Sequence, residues 1–470
     1  EARVKGVALS VELKAEEDDR LSNCNLNIKQ VLPNLLNENV TFTYSLSVEN
    51  IVNYIYSSDE TLQLVAIHNY IDLLNKTIYD GSINDLVNDD IVSRSIELLD
   101  NHHNCRLQIE IIRVLIFMSL GTFKQMQSII KYGAIPKLVK LLNSTEHYIT
   151  QDIVISLGNI IKNRPYARDI ALSHAILPRL AKLINSKISM IFTRHVVRTM
   201  FHVCKKSNPP LSFEMIKPVL PVFSYLLTIP NQSIISNTCW ILAYLTEGCE
   251  NNTRSLLGTG ILPQVLGCLM CKEKNIFRPA LRTIAHIVEL GNIYETNAVI
   301  SAGGLSHLCT FLRNHYMDED IVVEIVSAIY KMVNTKEQIQ CVISAGLLPL
   351  LIKILQFGEE EARHIVAWTV MDIIAEGSIE QLNELLNAGL LSIFYNLLEA
   401  NDHNIVINAL DCLIEILRAA EKVGQMEKFI TMIKDAGILD KMETIQYQHD
   451  DLIYEVYSNT HAFLRGFVYY

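Results

Sequence analysis

Two cysteines sit close enough in sequence to share a chemical task. Cys268 and Cys271 have the spacing with which paired thiolates hold a metal or exchange a disulfide. A zinc site needs two further ligands, however, and Cys239 and Cys249 upstream lack the second tight pair of a zinc ribbon, so buried thiols are the reading. His102, His103 and His364 stand in no HExxH setting. The chain has no P-loop, no GxGxxG after a strand and no GxSxG elbow. It therefore offers no catalytic constellation, no metal set and no cofactor site. A protein of this kind works by binding, and its function depends on the surface that its elements build.

Those elements repeat. An Ala/Gly pair, two aliphatics and a Pro or small polar residue precede a Leu-rich helix in YGAIPKLVKLL (Tyr132 to Leu142), TGILPQVLGCL (Thr259 to Leu269) and AGLLPLLIKIL (Ala345 to Leu355). Related phrases begin at Ser173, Ala302, Ala388 and Ala436. The Pro position falls at Pro136, Pro178, Pro221, Pro263, Ser306, Pro349, Ser392 and Asp440, with 42 or 43 residues between neighbours until the last. A period of about 40 to 47 residues in apolar, helix-periodic sequence is what stacked three-helix units produce. Gly can end one helix in the left-handed conformation, and Pro suits the first turn of the next. Leu138, Leu141 and Leu142 recur at helical spacing and find burial by stacking on neighbouring units. The predicted fold is all-α, an armadillo-repeat right-handed superhelical solenoid with an extended concave surface.

Composition agrees with that reading. Gly (19) and Pro (12) are too few among 470 residues for a multi-turn β fold. Half the residues are hydrophobic and 19% are charged, which excludes a largely disordered chain. With 40 Lys and Arg against 51 Asp and Glu, the net charge is −11, which argues against nucleic acid as a partner. The ten cysteines form no disulfide framework, the first residues lack a signal-peptide pattern, and no apolar run reaches the roughly 18 residues of a membrane span. The expectation is a reduced, soluble, intracellular protein.

At the level of residues, the repeats resemble those of importin α, the armadillo adaptor that carries nuclear localisation signals. The resemblance lies in AAEKVGQMEKFITMIKDAGILDKMETIQ (Ala419 to Gln446) with the following HDDLIYEVY, in NTCWILAYLTEG (Asn237 to Gly248), in RPALRTIAHIV (Arg278 to Val288) and in NPPLSFEMIKPVLPVFSYLL (Asn208 to Leu227). It implies a degenerate importin-β-binding-like segment at residues 1–34, armadillo repeats at 45–447 and a C-terminal helix or tail at 448–470. In residues 1–27 the cations Arg3, Lys5, Lys14 and Arg20 face Glu1, Glu12, Glu16, Glu17, Asp18 and Asp19, a net charge of −2. A segment with that balance is repelled by an acidic partner surface, so neither a stable importin-β complex nor autoinhibition is expected.

In importin α the third helix of each repeat presents a Trp and, four residues on, an Asn, which share one helix face. The Asn amide clamps a peptide backbone, and the Trp rings wall the stems of Lys and Arg. Carried over residue by residue, these positions hold Arg113 and Phe117, then Ile155 and Asn159, with Asn163 where an Asp is usual. Arg198 and His202 follow, then Trp240 and Tyr244, preceded by Asn237 where the family has an Asp. The next are Arg282 and His286, Ser327 and Lys331, and Trp368 and Asp372, preceded by Ile365 in place of Glu. No Trp–Asn pair is complete. The implied groove set is Gly121, Asn159, Trp240, Tyr244, Arg282, Trp368 and Asp372, with both Trp facing the groove. Arg113, Arg198 and Lys331 are expected to add positive charge there, and His202 and His286 more at lower pH.

The resemblance thus implies a non-enzymatic nuclear import adaptor of cytoplasm and nucleus. Its expected partners are peptide cargo, bearing a nuclear localisation signal or of another kind, and the export receptor with RanGTP. The alternative is a repurposed armadillo interaction scaffold or decoy that no longer carries basic-signal cargo.

Overall fold

The repeat begins at its turns. Gly133, Gly260, Gly303, Gly346, Gly389 and Gly437 all have φ between 71° and 101°, at the junction of a first and a second helix. At the equivalent junction of the fourth repeat Ala175 takes φ 55°, a conformation in which its Cβ crowds the following carbonyl. The structure, a computed structural model, describes residues 46–80, 88–100, 104–143, 147–185, 187–205, 211–290, 292–315, 318–398, 403–422, 424–445 and 458. The segment 1–34 and, apart from residue 458, the tail 448–470 lie outside it, as do His102, His103, Asp450 and Asp451. Among the described residues all regular structure is α-helical.

The chain divides into two compact units, Glu1–Ile160 and Ile161–Tyr470. The first holds α1 (Val48–Ile55), α2 (Glu60–Asp80), α3 (Asp89–Leu98) and α4 (Cys105–Leu120), followed by the triad α5 (Phe123–Lys131), α6 (Ala134–Leu141) and α7 (His147–Ile161). The second unit continues in triads of a short, a short and a longer helix. These are α8 (Pro165–Ser173), α9 (Ile176–Leu183) and α10 (Met190–Cys204), then α11 (Phe213–Ile216), α12 (Leu220–Thr228) and α13 (Gln232–Thr246). Next come α14 (Glu250–Leu257), α15 (Leu262–Cys268) and α16 (Lys274–Leu290), then α17 (Ile293–Ser301), α18 (Gly304–Asn314) and α19 (Glu319–Tyr330). The triad α20 (Lys336–Ser344), α21 (Leu348–Phe357) and α22 (Glu360–Glu376) precedes α23 (Ile379–Asn387), α24 (Leu390–Leu397) and α25 (His403–Lys422). The chain closes with α26 (Met426–Asp435) and α27 (Ile438–Ile445).

Each triad buries a Leu-rich stripe that one helix alone would leave in water. Leu138 and Leu142 are buried, whereas Leu141 is half-exposed. Pro165, Pro221, Pro263 and Pro349 occupy first turns, where a missing N–H costs nothing. Glu360 and Glu361 lie in the first turn of α22, as their run in sequence suggests. Pro279 is different, because it sits inside α16 and cannot donate to the carbonyl of Asn275. The Ser236 hydroxyl of α13 fills that gap, donating to Asn275 O over 2.8 Å.

Capping ties unit to unit. Thr122, Asn292 and Ser378 form capping boxes with Gln125, Glu295 and Gln381. Third-position residues of the later repeats, Gln338 after the Thr335 cap among them, also reach the preceding repeat. Gln381 Nε2 donates to Gln340 Oε1 (3.1 Å), Gln338 Nε2 to Asn297 Oδ1 (2.9 Å), and Glu295 accepts from Arg254 Nε at 2.8 Å. These buried amides and carboxylates each satisfy a helix end and a neighbouring helix together, which fixes the rotation of successive first helices.

Candidate functional site

In the second unit the long helices pack in the order α10, α13, α16, α19, α22 and α25, so each flanks the next. Trp240 lies at the centre of α13, two residues after Thr238, whose hydroxyl donates to Ile234 O (2.8 Å). It is 2% exposed. Arg282, 42 residues on, lays its guanidinium over the indole 5.5 Å from the ring centroid, and Tyr244 covers another side at 5.7 Å. Arg282 is held in turn by Glu324 of α19, its Nε donating over 3.4 Å. Lys274 and Arg278 face Asp318 and Asp320 at 3.9 and 3.6 Å, so the cations of α16 at i, i+4 and i+8 are matched to the start of α19. The expectation that Trp240 walls an open groove therefore needs correction. Its ring is covered by side chains of this same protein.

The same correction reaches the histidines. Burial pushes the His286 imidazole down to about 4, with Arg282 adding to the effect and the Ala243 carbonyl opposing it. Its Nδ1 lies 3.2 Å from both Ala243 O and the Thr246 hydroxyl. Burial, reinforced by Arg198, Lys162 and Lys205, pushes His202 well below the usual imidazole range. Both residues stay neutral where positive charge was expected of them.

Trp368 of α22 has another environment. It is 49% exposed, with Asp372 one turn on and Glu376 beyond. Burial and the neighbouring Glu376 hold the Asp372 carboxyl above the usual range. Asp372 is close enough to Tyr330 of α19 that its charge, added to burial, raises the phenol. The helix packed on the other side, α25, offers Asp411 where α16 offers Arg282, and Glu415 one turn later. Burial and Glu415 raise the Asp411 carboxyl, opposed by Arg418, which pairs with Glu415 at 2.6 Å. Lys331 is exposed and turned over the ring of Tyr330 at 5.4 Å. This section thus has an exposed indole on a helix whose next two turns, and whose neighbour α25, carry carboxylates.

In the first unit the predicted positions are occupied internally. Arg113 of α4, expected as an added positive charge, donates to Glu110 Oε1 at 2.8 Å, and Phe117 is buried. Burial raises the Asp152 carboxyl to about 6 against the opposing charge of Arg113. The Asn159 amide donates to Ser119 Oγ over 3.2 Å. Gly121 is a turn residue, since a Cβ there would collide with the Gln125 side chain that closes the next capping box. Of the predicted set, the second unit brings Trp240, Tyr244 and Arg282 into one cluster and Trp368 and Asp372 into another. Glu324, Asp411 and Glu415 were missed, although the repeat spacing places the last two at the Trp and Asn positions of the next unit.

Among the described residues no three His, Cys, Asp or Glu side chains converge as a metal site. The close thiol contact joins Cys239 and Cys268 across two helices, with Cys271 near by. No single described helix is long and apolar enough to cross a membrane.

No family model matches the chain. The fold is shared with the crystal structure of an engineered protein, at a TM-score of 0.64 and 20% identity, covering 89% of this chain and 98% of the other. The chain is 28% identical over 409 residues to importin subunit alpha-1b of Oryza sativa subsp. japonica, covering 86% of this chain and 76% of that protein. It is 30% identical over 413 residues to importin subunit alpha-4 of Arabidopsis thaliana, covering 86% and 76%. With importin subunit alpha-1a of Oryza sativa subsp. japonica the identity is 30% over 417 residues, 87% of this chain and 78% of the relative. That likeness runs through the whole stack of three-helix repeats and not through one motif, so the chain belongs to the importin α family.

Proposed function

We propose that this protein is an importin-α-like adaptor in nuclear protein import that binds a nuclear localisation signal in a restricted groove centred on Trp368. The observation that carries this reading is the half-exposed indole of Trp368 among Asp372, Glu376, Asp411 and Glu415. An indole face and carboxylates are the partners that a Lys or Arg side chain needs in order to bury its stem and keep its charge solvated. Around Trp240 those contacts are taken by Arg282, which confines the basic peptide to the later repeats. The protein acts by binding and not by catalysis, moving between cytoplasm and nucleus, with the export receptor and RanGTP as further partners. Importin β is not among the expected ones, given the net charge of −2 in residues 1–27. A basic signal peptide should bind more weakly than about 10 µM at physiological salt, because most amide clamps are missing. Fluorescence titration checks this: Trp368→Ala should abolish the binding that remains, while nanomolar affinity, or indifference to Trp368, would refute the restricted groove.

A second reading, a repurposed scaffold or decoy, is favoured by Arg198 and Lys331 at positions where the family holds a Trp and an Asn. Affinity capture from extract separates the two. Recovery of the export receptor with basic cargo supports the adaptor, and recovery of neither supports the scaffold.

A further inference from the structure

The stretch from α10 to α13 has an unusual charge pattern. Neither helix contains a carboxylate, while α10 carries Arg194, His195, Arg198 and His202, and Lys205 caps its end. Arg194, His195, Arg198 and His202 fall at i, i+1, i+4 and i+8, so a band of basic side chains follows the helix. Lys162 adds its charge at His202. Several cations on other helices have carboxylate partners: Arg113 has Glu110, Arg254 has Glu250 and Glu295, and Arg282 has Glu324. Arg198 forms no ion pair with any described residue.

His202 supplies the second observation. Both of its ring nitrogens are buried and neither has a hydrogen-bond partner among the described residues. Leaving such a group unpaired costs about 1–3 kcal/mol, and here two of them lie on one ring beside Arg198. The walls are aromatic. Phe201 stacks at 5.3 Å from the imidazole and 6.1 Å from Tyr244, and Lys205 Nζ lies 6.0 Å from the Phe201 centroid while donating to Asn163 Oδ1. On α13, Asn237 is half-exposed and makes no side-chain hydrogen bond with a described residue, so its amide is available to a peptide backbone.

We propose that this section of the second unit binds an extended acidic peptide segment, with Arg198 receiving its carboxylates beside the His202 ring and Asn237 its backbone. A guanidinium takes a carboxylate in two parallel hydrogen bonds. The station is separate from the basic-peptide section at Trp368 and does not depend on it. A peptide fits better than a nucleic acid, because the cations are few and form one short band on a protein with net charge −11.

Fluorescence anisotropy tests the proposal on the full chain with three probes: a short labelled peptide alternating Glu and Ser, its Lys and Ser counterpart, and a thymidine oligonucleotide. The Glu peptide should bind at low salt and weaken as salt is added. Arg198→Glu should lower its affinity about tenfold or more, with Arg198→Lys recovering part of the loss. Trp368→Ala should leave the Glu peptide unaffected while weakening the Lys peptide, which separates this station from the restricted groove. An unchanged melting temperature in Arg198→Glu excludes unfolding as the cause, and Asn237→Ala, a surface change, should repeat the loss on a smaller scale. Absence of Glu-peptide binding, equal binding by Arg198→Glu, or an oligonucleotide that binds more tightly and displaces the peptide would each overturn it.

Discussion

Trp240 and Trp368 occupy the same place on equivalent helices, each the ninth residue of its long helix, yet one is 2% exposed and the other 49%. The local sequence does not explain the contrast, since both are followed at i+4 by a polar side chain. The explanation lies one repeat further on. Arg282 reaches back over Trp240, whereas the residue in its place after Trp368 is Asp411, too short and of the wrong sign to cover an indole. In a solenoid each binding station is completed by its neighbour, and a single substitution in the next unit can close it.

The largest effects follow from this contrast. Trp240→Ala should destabilise the protein by about 3–5 kcal/mol, because it empties a packed site under Arg282 and beside Tyr244. Trp368→Ala should change stability by less than about 0.5 kcal/mol while removing basic-peptide binding. Urea denaturation measures both, and equal losses would abolish the distinction. Acrylamide quenching sharpens it, since these are the chain's two Trp: Trp368→Phe should leave emission that is poorly quenched, and Trp240→Phe emission that is readily quenched.

Charge gives the two regions opposite responses to pH. His286 has a folded value of about 4 against 6.5 unfolded, so below 6.5 the unfolded state takes up protons that the folded state refuses. Its contribution is complete above 6.5 and is lost as pH falls toward 4, a loss of about 3 kcal/mol. Around Trp368 the sign reverses. The Asp372 and Asp411 carboxyls titrate above their unfolded values, so their contribution is present at low pH and lost as pH rises through the folded values. His286→Gln should flatten the fall in stability between pH 6.5 and 4, and Asp372→Asn should steepen it. Chemical denaturation across that range measures both, and a change of the same sign in the two variants would mean that the regions do not differ.

Smaller again is the effect of removing the clamp. Glu324→Gln leaves the Arg282 guanidinium without its carboxylate, at a cost of about 1–3 kcal/mol. Trp240 should become more accessible to quencher in that variant, while Trp368 in the other region should not change. Unaltered quenching would mean that Arg282 stays on the indole without Glu324.

The repeat was legible because each unit carries its own signals. The Gly at the turn, the Pro in a first turn and the Leu stripe act within a few residues of one another. The state of each groove station was not legible, because it depends on partners about 40 residues away. Arg282 read as a retained family residue, and nothing around it announced Glu324, which lies 42 residues on and three before the aligned position Ser327. The Glu110–Arg113 pair, at i, i+3, could have been found from spacing alone. Burial of Trp240 could not, since an alternation of apolar residues does not say what covers an exposed face.

The smallest expected effect concerns the backbone beneath the two regions. Before α9, in the unit that ends in α10, Ala175 holds the left-handed turn that Gly346 and Gly389 hold on either side of Trp368. A non-glycine residue in that conformation costs about 1–2 kcal/mol, while glycine at the same site returns part of the gain as unfolded-state entropy. Ala175→Gly should therefore stabilise the protein by about 0.5–1 kcal/mol. Gly389→Ala should destabilise it by a similar amount, because no atom lies within 4 Å of where the new Cβ would stand and the cost is conformational alone. Thermal melts of the two variants should move in opposite directions. If Ala175→Gly melts lower than the parent, the αL turn before α9 is held by contacts of the alanine methyl group, and the two regions differ in their turns as well as in their charges.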